Sequence, residues 1–128
     1  MATGFPAATG DVLSAAMYNG LVAFTVTTQS GSTYTVANTD LYQVAILTSN
    51  ASTKTITIAP DSTLTSAAVG SAITFINTGA GLLTFAAGSG VTIVSAGAVS
   101  AAPTLAANKA CAAIRTAANS WIIVGAIA

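Results

Sequence analysis

From Leu21 onward, apolar and polar residues alternate with a period of two. In "VAFTVTT", Val22, Phe24 and Val26 fall on one face and Ala23, Thr25 and Thr27 on the other. "KTITIAP" sets Ile56 and Ile58 against Thr55 and Thr57. "AITFIN" offers Ile73 and Phe75, "LLTFA" offers Leu83 and Phe85, and "VTIV" offers Val91 and Ile93. Side chains alternate sides along a strand, so this period predicts half-buried strands, and the β-branched content agrees. Turn chemistry separates them in "QSGS", "SNAS", "APDS", "NTGAG", "AAGSG" and "SAG". A spacing of about ten residues between such strands suits a sandwich, jelly roll or barrel.

Two segments break the alternation. "LYQVAIL" (Leu41 to Leu47) and "WIIV" (Trp121 to Val124) are apolar on both faces. A strand in a two-layer sandwich normally keeps one wet face. A second cover is therefore expected over these strands, either an N-terminal arm or another subunit. Tyr42, Trp121, Ile122 and Val124 are the candidate core or interface residues.

The opening "MATGFPAATGDVLSAAMYNG" follows a different rule. Thr9 or Asp11 can cap a helix and Gly20 can end it. Leu13, Ala16 and Met17 share one helical face. A helix of barely two turns is marginal alone. The expected organisation is an arm with a short helix over 1–20, followed by one β-domain over 21–128. The arm either plugs its own domain or anchors on a neighbour through Phe5, Leu13, Met17 and Tyr18. No exact internal repeat is visible in "GAGLLTFAAGSGVTIVSAGAV", so a solenoid is left open without being demanded.

Composition sharpens the picture. The chain has 128 residues, enough for one domain with its own core. Hydrophobic residues make up 53% and charged residues only 5%, against about 25% in ordinary domains. Three basic and three acidic residues cancel, so solubility by charge repulsion is nearly absent. Lys54, Lys109 and Arg115 are too few for a phosphate-binding face, which argues against nucleic acid. Every apolar window is interrupted by Thr, Ser, Gly or Asn, so no membrane-spanning helix is expected, and no signal peptide is apparent. Few aromatics, 6%, also speak against a small membrane barrel.

Candidate chemistry is sparse. Histidine is absent, removing the commonest general base and metal ligand. Asp11, Asp40 and Asp61 occupy positions where Asp serves local hydrogen bonding. Cys111, the single cysteine, sits in the small-apolar run "KACAAIR" and reads as an inert buried thiol. "GAGLLT" lacks the third glycine of a dinucleotide fingerprint and reads as a hairpin turn. "NAS" at Asn50 matches a glycosylation pattern but reads as a turn. These residues lead us to expect no enzyme, no cofactor, no metal and no small-molecule ligand.

The stretch from Thr33 to Ala128 resembles a domain recurrent in tailed-bacteriophage virion proteins. The cues are a "YT" strand, "SNAS", "TITIAP", "GSAITFINTGAG", "AAGSGVTI" and a closing "W-x-x-V-G" at Trp121 to Gly125. The opening "FPAATGDVLSAAMYNGL" is similar to short N-terminal segments of phage fibre and decoration proteins. The resemblance implies an all-β, jelly-roll-like antiparallel sandwich that assembles as a homotrimer on the virion. With one β-domain and one short arm, a capsid decoration (cement) protein bound to the major capsid protein is expected, made in the host cytoplasm and carried on the capsid surface. The alternative is a short tail or head fibre with a host-adhesion role, for which Tyr34 and Tyr42 are the candidate aromatic tip.

Overall fold

The structure is a computed structural model that describes residues 25–41, 44–95 and 102–128, besides Ala15. Ten strands form among these residues: β1 (Thr25–Gln29), β2 (Thr33–Thr35), β3 (Val44–Thr48), β4 (Lys54–Ile58), β5 (Ala72–Asn77), β6 (Leu83–Ala87), β7 (Thr92–Ser95), β8 (Thr104–Leu105), β9 (Lys109–Ala117) and β10 (Ser120–Gly125). A single 3-10 turn covers Asn38–Asp40. The all-β expectation therefore holds. The arm over 1–20, with Phe5, Leu13, Met17 and Tyr18, lies outside the described residues, as does Tyr42.

The strands make two sheets, ordered β1-β3-β5-β9-β10-β7 and β2-β4-β6-β8. The first six strands alternate between them, odd in one and even in the other. Their ladders, β1 with β3, β3 with β5, β2 with β4 and β4 with β6, are all parallel. The chain thus winds as a flattened coil of three turns. Antiparallel pairing enters only where β8, β9 and β10 close the stack.

This corrects the antiparallel, jelly-roll expectation. The alternation read from the sequence reports which residues face inward, and it is blind to strand direction. Direction is set by the connections, and here each one from β1 to β6 leads into the opposite sheet. "GAGLLT" is such a corner: β5 and β6 lie in different sheets, so the turn is not a hairpin.

The corners need particular residues. A Cβ on Gly81 would lie 1.8 Å from the Ser52 carbonyl oxygen, and one on Gly79 2.2 Å from that of Asn50. Only glycine lets these two successive corners stack. Asn50 fastens the earlier corner, its Oδ1 accepting from Ser52 N at 2.8 Å and its Nδ2 donating to the Ser30 carbonyl at 3.1 Å.

Register decides the core. Thr27, Ile46 and Phe75 stack across one sheet. Tyr34, Ile56 and Phe85 stack across the other. The two columns meet edge-to-face where Phe75 and Phe85 lie 5.0 Å apart at 69°, a favoured aromatic geometry. Ile58, Ile73, Leu83, Leu105, Trp121 and Ile123 fill the remaining interior. Val26 shows the opposite outcome: it points outward and Thr27 points in, so the first strand runs against its own hydrophobicity.

Two stability outcomes are expected. Trp121→Ala should cost about 3–5 kcal/mol in denaturant unfolding, because Trp121 is 1% exposed. Gly81→Ala should cost about 1–3 kcal/mol, since the added methyl meets backbone that cannot step aside. An unchanged unfolding midpoint for either variant would contradict the packing described.

Candidate interaction face

The closing strand β10 carries the first sign of a site. Trp121 and Ile123 turn into the core. Ile122 and Val124 turn to the outer side of the six-stranded sheet and stay half-buried. The sequence had grouped Trp121, Ile122 and Val124 as core or interface; the pleat puts Trp121 in the core and Ile122 and Val124 on the outer side of the sheet.

Register extends this outer side across the sheet. One row joins Val26, Ala45, Thr74, Ala112 and Val124. A second joins Thr28, Leu47, Ile76 and Ala110. A third joins Ala72, Ile114, Ile122 and Val94. No row contains an ionisable residue. Ala45 is buried, while Val26 and Val94, on the two outermost strands, are 59% and 52% exposed. Thr28 and Thr74 apart, these rows consist of Ala, Val, Leu and Ile, so this outer side is uncharged and mostly apolar.

The outer side of the four-stranded sheet is different in kind. Thr33, Thr55, Thr84 and Thr104 form one row across all four strands. Thr35, Thr57 and Ala86 form the next. The described residues therefore give one mostly apolar sheet face and one hydroxyl face.

Among the described residues, the charges other than Lys109 are paired or buried. Asp61 and Arg115 make a two-point ion pair, with Arg115 Nη2 donating to Asp61 Oδ2 at 2.7 Å and Nε to Oδ1 at 3.3 Å. That guanidinium holds the Asp61 carboxyl below the usual carboxylate range. Asp61 and Asn119 also bond each other's backbone amides, at 2.8 and 3.0 Å, so the β9–β10 hairpin is pinned to the turn after Pro60. Buried Asp40 accepts from Tyr34 Oη at 2.6 Å and from Ala37 N at 2.9 Å. Tyr34, considered as an aromatic tip, instead packs against the core, and burial with the Asp40 contact pushes its hydroxyl pKa well up.

Lys54 is buried with no carboxylate in its bonding set. Its Nζ donates to the Asn50 carbonyl and to Asn77 Oδ1, each at 2.7 Å. Asn77 is wholly buried and saturated: Oδ1 also accepts from Thr48 Oγ1, and Nδ2 donates to the Gly81 and Leu105 carbonyls. Desolvation draws the Lys54 pKa down from 10.5. Among the described residues, Lys109 is the only ionisable side chain classed as exposed. No group of three or more acidic, Cys or His residues gathers among them to hold a metal ion. No helix there is long and apolar enough to cross a membrane.

The chain matches no known family, no curated protein and no solved structure.

One titration is accessible. Burial pushes the Cys111 thiol from 9.0 up to about 12. The unfolded chain therefore loses this proton first as pH rises, and stability present below pH 9.0 is lost above it. Tyr34 acts in the same direction and Lys54 in the opposite one. Cys111→Ala should decline less steeply than wild type above pH 9.0 in chemical denaturation at stepped pH. Parallel declines would show a thiol open to solvent.

Proposed function

We propose that this chain is a structural subunit of a tailed-bacteriophage virion: a capsid decoration protein that binds the major capsid protein lattice as a homotrimer and stabilises the head. It works without catalysis, cofactor, nucleic acid or membrane, on the capsid surface. The observation that carries this reading is the uncharged apolar outer face of the six-stranded sheet. Such a face needs a partner, and the resemblance of Thr33 to Ala128 to virion proteins supplies the class. The gain would be mechanical: extra area bridging capsomers, where each standard interface buries roughly 1,600 Å² in total and is repeated over the shell.

A second reading, a short tail or head fibre with an adhesive role, is favoured by one feature. Parallel coils stack along an axis, and that geometry suits an elongated shaft. Tyr34 is half-buried against the core with its hydroxyl engaged by Asp40, which weighs against an aromatic tip built on it.

The test is the copy number of this chain relative to the major capsid protein in purified particles, by quantitative mass spectrometry. Decoration expects a ratio near parity. A ratio far below it moves the chain to a fibre, spike or vertex and overturns the decoration reading.

A further inference from the structure

We propose that Lys54 and Asn77 are the two halves of a side-chain isopeptide cross-link, which the folded chain closes on itself once, with no partner. Lys54 opens β4 in the four-stranded sheet and Asn77 ends β5 in the six-stranded sheet. The bond joins the two sheets covalently. It rests on these side chains alone and not on the virion reading.

Placement is the first argument. Lys54 Nζ lies 2.7 Å from Asn77 Oδ1, so the amine and the side-chain amide are already neighbours. Both residues are shut off from solvent, at 3% and 0% exposure. The amide is held firmly: Thr48 Oγ1 donates to Oδ1 at 3.2 Å, and Nδ2 donates to the Gly81 and Leu105 carbonyls, each at 2.9 Å. Reactants fixed in this way lose little orientational freedom at the moment of reaction.

The missing counter-ion is the second. Lys54 Nζ bonds only two neutral oxygens, the Asn50 carbonyl and Asn77 Oδ1. A buried ammonium without an opposite charge is costly. Desolvation lowers the Lys54 pKa, which raises the share of neutral, nucleophilic amine. On the elements around the pair, β3, β6 and β8 carry no ionisable residue. β9 brings exposed Lys109, the register partner of Asn77, and buried Cys111, the partner of Phe75. Tyr34 lies beside Ile56 with its hydroxyl on Asp40. Closing the bond removes the buried charge, so the same burial that disfavours the ammonium favours the product.

The step balances without a co-reactant. The ammonium gives one proton to solvent, and neutral Nζ attacks Asn77 Cγ. A tetrahedral carbon forms, its oxygen keeping the Thr48 hydroxyl as donor. One proton passes from Nζ to Nδ2, the Cγ–Nδ2 bond breaks, and ammonia leaves to become ammonium in solvent. A secondary amide between Nζ and Cγ remains. A water taking the place of ammonia has the Gly81 and Leu105 carbonyls as partners. With no carboxylate in the bonding set to carry the proton, closure is slow and quickens as pH rises. Like a disulfide, the link restricts the unfolded chain; unlike one, it withstands reducing agents.

The experiment is intact-mass spectrometry on the full chain, sampled over days at neutral and mildly alkaline pH. Wild type, Met1 processing aside, should fall short of its sequence mass by one ammonia, sooner at the higher pH. Trypsin should then spare Lys54 and return residues 1–109 as one peptide lacking that ammonia, in place of 1–54 and 55–109. Lys54→Arg should keep its full mass, as should wild type incubated in concentrated urea, where the pair never meets. A deficit that persists in either control comes from an asparagine cyclising on its own backbone and overturns the assignment. Folded wild type at full mass throughout overturns the proposal, while the particle copy number still decides the decoration reading.

Discussion

Parallel, in-register stacking is the constraint on which everything else depends. Because β1, β3 and β5 run the same way, a residue in one turn sits beside its counterpart in the next. Columns then form, one reaching Phe75 and the other Phe85, and the fold is the meeting of those columns. The same stacking governs the outside. Whatever faces outward in one turn is placed beside what faces outward in its neighbours, so scattered valines, isoleucines and threonines become continuous faces. Neither face is visible as a block in the sequence.

The corners make the stacking feasible. Gly79 and Gly81 let one turn of the coil lie directly on the turn before it. Lys54 and Asn77 then seal the interior beneath those corners with bonds to neutral oxygens. A buried cation held this way costs more to bury than a neutral residue. Its bonds, however, tie the corner at Asn50 to the end of β5, which packing alone would leave open.

Strand content and core faces were legible in the sequence because period-two alternation encodes them. Ile56, Ile58, Ile73, Phe75, Leu83, Phe85 and Ile93 are buried as the pattern implies. The doubly apolar "WIIV" also signalled apolar residues on both sides of the strand, with Trp121 and Ile123 in the core and Ile122 and Val124 half-buried on the outer side. Strand direction was not legible. It depends on whether a short Gly-rich link reverses within a sheet or crosses to the other, and both kinds of link use the same residues. The coil was hidden further because its turns differ in length, so stacked residues recur at no fixed spacing. Val26 and Thr27 exchanged their expected sides because the column through Ile46 and Phe75 fixes the register of β1 more firmly than one valine can. The pairing of Asp61 with Arg115 was likewise out of reach, since it joins residues distant in the chain.

The internal disposal of charge has one further consequence. Ionic strength acts on proteins chiefly by screening charges that face solvent over distances of about 10 Å at moderate salt. In the described part of this chain, the charged side chains are mutually paired or buried, apart from Lys109. Dilute buffer and brine therefore present nearly the same electrostatic environment to it. Contacts made through its apolar face would be indifferent to screening, whether the surroundings are fresh water, seawater or a crowded cytoplasm.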